Sequence, residues 1–128
     1  MPSPRRQIST GSPFEETMGY SRAIVQGDWC FVSGVTGYDY STMKMPVSVA
    51  RQAANCFATI GSVLSEAGFS LSDIARVQYT VVRRELVPEI QPVLQQYLGG
   101  VRPAATMVIA DLIEEEMLIE IEVTAYRG

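Results

Sequence analysis

Histidine is absent from all 128 residues. That removes imidazole acid–base catalysis, Ser-His and Cys-His nucleophile pairs, and most transition-metal sites. Cysteine is scarce. Cys30 falls in a predicted strand and Cys56 on the apolar face of a predicted helix. Buried, reduced, structural thiols are the expectation for both, which makes the cytoplasm the simplest compartment. No apolar run reaches the roughly 18–20 residues that span a bilayer. The opening MPSPRRQISTGSP carries two arginines without an apolar stretch after them, so it does not read as a signal peptide. Positive charge is short as well. The net charge is −4, the pI is near 4.8, and basic pairs occur only at Arg5-Arg6 and Arg83-Arg84. Nucleic acid is therefore not the default partner. No Walker motif, paired CxxC or GxGxxG fingerprint is present, and no basic amphipathic stretch suggests a membrane surface.

What remains is a globular composition, 47% hydrophobic and 19% charged, in a chain of one-domain length. Residues 1–19 are rich in Pro, Ser, Gly and Thr without a period and are expected to form an irregular arm. AIVQGDWCFVSG reads as two strands about a two-residue type II′ turn at Gly27-Asp28, with Ser33-Gly34 at the end of the second strand. VTGYDYSTMKMP is loop. Ser48 looks like an N-cap and Gly68 like a C′ residue. Between them Val49, Ala53, Cys56, Phe57, Ile60, Val63, Leu64 and Ala67 fall at helical spacing. Gly61 interrupts this helix, and close approach to a sheet would explain it.

ARVQYTVV alternates, with Val77, Tyr79 and Val81 on one face. ELVPEIQPVLQQYLGG is a second helix, with Pro88 in its first turn, Pro92 marking an irregular start or a kink, and Gly99-Gly100 ending it. ATMVIADLI is apolar almost throughout and is expected to be a strand covered on both faces. MLIEIEVTAY alternates strictly after the solvated EEE at 114–116. The order β-β-α-β-α-β-β predicts a single α+β domain, a mixed sheet with two helices on one face. Nothing in one chain covers the other face, so a homo-oligomer packed through the sheets is expected.

Glu120 and Glu122 have two readings. They are solvated side chains on an open sheet face, or carboxylates partly buried by a second subunit. In the second case a raised pKa suits Glu120 to proton transfer. Backbone N–H groups around Ser33-Gly34 fit either an ordinary strand end or an anion contact. Tyr20 fits packing or a site.

These residues resemble a known family. RPAATMVIADLIEEEMLIEIEVTAYR, VSG at 32–34 and EAGFSLSDIARV are together similar to the RidA/YjgF family, the reactive intermediate deaminases, also endoribonuclease L-PSP-like. The resemblance covers about residues 18–127. It implies a chorismate mutase-like fold and a homotrimer with three clefts between subunits. It also implies hydrolysis of enamines or imines such as 2-aminoacrylate to a 2-keto acid and ammonia, without metal or organic cofactor.

By the same resemblance the ring-stacking tyrosine falls on Tyr20 and the serine-glycine pair on Ser33 and Gly34. The water-positioning glutamate falls on Glu120. The helix asparagine falls on Gln91, and a frequent cysteine on Met107. The carboxylate-binding arginine falls on Ala105, and a methyl group cannot make a bidentate contact. The expectation is a divergent branch that keeps the clefts and acts on an imine, enamine or related metabolite other than 2-aminoacrylate. The alternative is a small-molecule binding protein without turnover. RNA cleavage, implied by an older family name, is opposed by the acidic charge and the missing histidine. Arg102, Arg22, Arg83 and Arg84 are the candidate replacements for the lost guanidinium. Arg102 precedes Pro103 and is expected to be extended.

Overall fold

Ser48 and Gly68 bound helix α2 (Val49–Ala67) as their residue types require. The Ser48 side chain accepts from the Arg51 N–H, and Gly68 closes the helix at a left-handed φ of 85°. Every apolar residue at helical spacing in α2 is buried. The Val, Leu, Ile and Phe side chains among them each contribute on the order of 1.5–3 kcal/mol through burial. The computed structural model describes residues 4–128. Around α2 the chain runs β1 (Arg6–Ile8), α1 (Pro13–Met18), β2 (Ala23–Gln26), β3 (Trp29–Thr36), then after α2, β4 (Ile74–Val81), α3 (Val87–Leu98), β5 (Ala104–Ile109) and β6 (Ile119–Tyr126).

The strands form one mixed sheet in the order β1-β2-β3-β6-β4-β5. β6 lies antiparallel between β3 and β4, and β5 runs parallel to β4 through the α3 crossover. The alternation in β4 and β6 sends Val77, Tyr79, Val81, Ile119, Ile121, Val123 and Ala125 into the core. α2 packs on β3 and β6, and α3 packs on α2, where the Phe57 and Tyr97 rings stack at 4.7 Å. The α+β architecture is therefore the one the pattern predicts. The β2–β3 turn also agrees. Gly27 has φ 58° and Asp28 is not among the non-glycine residues with positive φ, as a type II′ turn demands.

Several expectations are corrected. The arm at 1–19 is not irregular over its described part, residues 1–3 lying outside it. β1 pairs with β2 and buries Ile8. Helix α1 is started by the Ser12 cap with Pro13 in the first turn and ended by Gly19 at φ 72°. The polar composition hid a capping sequence. Gly61 does not meet the sheet; a Cβ there would find no atom within 4 Å. Pro92 sits within α3, which is preceded by a 3₁₀ turn at Arg84–Leu86. β5 is an edge strand, shorter than expected and exposed along its whole length. Its apolar side chains are not covered by this chain, because α3 rests on α2 and leaves the edge bare.

Candidate functional site

The site begins with a bulge. β3 and β6 pair Val32 with Val123 and then Val35 with Ile121, so Ser33 and Gly34 together face the single residue Glu122. Such a bulge re-aims side chains beside a site. It also corrects the expectation that the strand ends at Ser33-Gly34, since β3 continues to Thr36. The Ser33 N–H donates to the Arg22 carbonyl at 2.9 Å, and its hydroxyl donates to the Ser21 carbonyl at 2.6 Å. The hydroxyl proton is thus engaged, and the oxygen keeps acceptor capacity.

Gly34 is required here by space. A Cβ on it would lie 2.5 Å from the Glu120 carboxyl carbon and within 2.9 Å of both carboxyl oxygens. The carboxyl group is seated directly on the glycine backbone. α1 supplies the next wall: Gly19 turns the chain, and the Tyr20 N–H returns to the Glu15 carbonyl at 2.9 Å. A cavity of about 300 Å³ results, lined by Met18, Tyr20, Ser33, Gly34, Ile113, Glu120 and Glu122.

Burial, and then the charge of Glu122, push the Glu120 carboxyl above the ordinary carboxylate range, against the pull of Arg22. Burial likewise raises the Tyr20 phenol, with Arg22 again opposing, so the hydroxyl is protonated at neutral pH. Arg22 lies behind this wall and is 0% exposed. Its Nη1 donates to the Gly34 carbonyl at 2.7 Å, and Nη2 makes a long 3.5 Å contact to the Tyr20 hydroxyl. Tyr20 accepts this contact, so its own proton remains available to another acceptor. The guanidinium sits 4.7 Å from the Tyr40 ring centre.

Among the described residues, no group of three or more Cys, Asp or Glu side chains is placed to share a metal ion, and no helix is long and apolar enough to cross a membrane. A larger hollow of about 480 Å³ lies against α2, beside Tyr38, Asp39, Tyr40, Asn55 and Glu66, and contains none of the residues selected from the sequence.

The family model described as endoribonuclease L-PSP matches residues 10–127. The chain belongs to the endoribonuclease L-PSP family. A crystal structure of a YjgF/YER057c/UK114 family member from Mycobacterium tuberculosis is 34% identical, with a TM-score of 0.88 over 97% of this chain and 100% of that one. A RutC family protein from Pyrococcus abyssi is 32% identical over 84% of this chain and 86% of its own. A 2-iminobutanoate/2-iminopropanoate deaminase from Dermatophagoides farinae is 26% identical over 94% of both.

In this member of the L-PSP family the residues picked from the sequence fall into two groups. Tyr20, Ser33, Gly34 and Glu120 converge on the cavity. Gln91, Arg102, Ala105 and Met107 do not line it. Ala105 and Met107 pair with Val77 and Tyr79, which places them on the helix side of the sheet. Glu120 sits one step along β6 from the inward-facing Ile119 and Ile121, and so points to the other side.

Arg102 is not extended. It has φ 54°, and its N–H caps α3 on the Leu98 carbonyl at 2.8 Å. Gly99 remains helical, so the left-handed turn ending α3 falls on the arginine instead. Arg83 and Arg84 are exposed, and Arg83 borders a different hollow with Asp111, Glu114 and Glu115. Only Arg22 of the four arginines touches the cavity's residues, and it does so from behind. Met18 and Ile113 were missed as lining residues. The Ser12–Gly19 capping pattern could have revealed Met18; Ile113 was hidden by being read as strand.

Proposed function

We propose that this L-PSP-family chain forms a homotrimer whose inter-subunit clefts hydrolyse an imine or enamine other than 2-aminoacrylate, with Glu120 handling the attacking water. The observation that carries this is the seating of the half-buried Glu120 carboxyl on Gly34, in a cavity that Tyr20 and Ser33 also line. The exposed β5 supports assembly, because Gln91, Ala105 and Met107 lie away from Glu120 in one chain and would meet it only across a subunit boundary. The deaminase name of one relative supports the reaction class.

The chemistry follows from these groups. Glu120 takes a proton as water adds to the C=N carbon, giving a carbinolamine. Its raised pKa keeps the carboxylic acid within reach of returning that proton to nitrogen. As the C–N bond breaks, the carbinolamine hydroxyl gives up its proton and the same carboxyl relays it to nitrogen, so that ammonia and a carbonyl compound leave. Tyr20 donates into the substrate and Ser33 accepts from it. Ala105 offers no guanidinium, and Arg22 is sealed from the cavity, so a carboxylate is not the handle by which substrate is held. A cytoplasmic setting is proposed from the free, buried thiols of Cys30 and Cys56.

An amino-acid or amine oxidase generating imines in the presence of semicarbazide tests the reading. The protein is expected to reduce semicarbazone yield for imines lacking a carboxylate, and Glu120→Gln to abolish the effect. Unchanged trapping across both substrate sets would remove the enzymatic reading. The methyl of Ala105 favours a second reading, a binding protein without turnover. Ligands such as indoles or phenols that raise the melting temperature and are recovered intact would establish it.

A further inference from the structure

Among the described residues Arg22 is the one buried cation. A guanidinium removed from water is expensive unless a carboxylate compensates it. No carboxylate among the described residues comes within ion-pair distance of Arg22; the ion pair they form is Arg127–Asp28 on the surface. Its Nε has no hydrogen-bond partner among them. A leucine or methionine of similar reach would fill this volume at less cost, so the charge calls for an explanation.

The contacts supply one. The guanidinium fork reaches two separate walls of the cavity, the Gly34 carbonyl on the β3 bulge and the Tyr20 hydroxyl after α1. One rigid, planar group thereby fixes the bulge that seats Glu120 and the hydroxyl that faces it, which a flexible ammonium does poorly. The titratable groups around it are Glu15 at the end facing α1, Tyr20, Tyr40 after β3, Cys56 of α2, and Glu120. Glu122 acts on Glu120 from the same strand. Low-polarity surroundings let the Arg22 charge act on its neighbours more strongly than it would in water.

We propose that Arg22 is the positioning residue of this cleft, holding Tyr20 and Gly34 by its fork and setting a positive charge behind Glu120. It touches no substrate, because it is sealed from the cavity. It replaces the missing arginine in charge and not in contact. The proposal rests on the reading of Glu120 as the group that handles water.

Titration of the ¹³C-labelled Glu120 carboxyl by NMR tests it, in the wild-type protein, Arg22→Met and Arg22→Lys. The Glu120 midpoint is expected to rise by about one unit or more in Arg22→Met and to stay within roughly 0.3 unit in Arg22→Lys, which keeps the charge. Arg22→Lys is expected to shift the Gly34 amide and Tyr20 ring resonances, since the fork is lost. A midpoint unchanged in Arg22→Met, or moved equally in both variants, overturns the proposal. If Arg22→Met does not fold, the wild-type Arg22 side-chain ¹⁵N resonances decide. A step at the Glu120 midpoint is expected, and a flat profile overturns the idea. None of these readouts needs a substrate. Missing imine hydrolysis in a protein that titrates as stated therefore removes the reaction and leaves the role of Arg22 standing.

Discussion

The carboxyl group of Glu120 lies so close to Gly34 that a Cβ there would stand 2.5 Å from the carboxyl carbon. Gly34 is not among the glycines with positive φ, so the backbone itself would tolerate a side chain. The nearest obstacle is the glutamate side chain. Gly34→Ala is therefore expected to displace the carboxyl end and to destabilise by about 1 kcal/mol, the low end for overpacking, because a flexible side chain can rotate away. Ligand-induced thermal shifts and imine turnover should fall far more than urea stability does. Equal loss of both would mean that the seat is only structural.

Stability should carry the mark of Glu120. Its folded pKa lies above its unfolded value, through burial first and Glu122 second. The native state therefore holds more protons than the unfolded one between roughly pH 4.3 and the folded value. Stability contributed by this group falls as pH rises through that window. Glu120→Gln has no such proton, so it should exceed the wild type above the window and lose the advantage below it. Denaturant unfolding of both proteins across about pH 4 to 8 checks the sign, and a constant difference contradicts it.

Gln52 is buried and ties three backbone groups. Its Nε2 donates to the Pro46 and Glu116 carbonyls at 2.8 and 3.0 Å, and its Oε1 accepts from the Leu118 N–H at 2.9 Å. Gln52→Leu strands these groups and should cost about 2–4 kcal/mol. Hydrogen exchange at Leu118 should quicken in step.

Gly61→Ala should stabilise by about 1 kcal/mol, the helical preference of alanine over glycine. The added methyl meets nothing within 4 Å. A lower melting temperature would show that α2 has a close neighbour outside this chain.

Ala105→Arg places a guanidinium on β5, the edge strand that the proposed trimer covers. Hydrolysis of 2-aminoacrylate should appear where it was absent. A folded, assembled but inactive variant would mean that the cleft has changed beyond this one residue.

Helix α2 was legible because burial and helical period coincide along its whole length and both caps are of the expected types. β4 and β6 were legible through their alternation. Of the candidate site, Tyr20, Ser33, Gly34 and Glu120 were legible, Glu120 and Ser33-Gly34 already from their strand pattern and all four through the family resemblance, which also pointed to Gln91, Ala105 and Met107 outside the cavity. The bulge was not, because two residues facing one leave no trace in an alternating pattern. Arg22 was named among four candidate guanidiniums, but its place behind the cavity wall was not legible, because an arginine's residue type predicts the surface. Its burial depends on rings and carbonyls brought together from α1, β3 and the loop after it. Arg102 ran against expectation for a local reason, since α3 uses it to turn where a glycine two or three positions earlier was available.

The two rims of the sheet are unequal. One is the three-residue β1, flanked by Arg5 and paired along Arg6. The other is AATMVI, six residues without a charge, with one side of its backbone unpaired. Charge and brevity keep the first from recruiting another strand; nothing in β5 does. In the trimer proposed above, a newly made chain carries an adhesive border until a neighbouring copy covers it. On that reading its solubility depends on how quickly it meets a partner, and overproduction or a weakened contact would turn the same strand toward aggregation.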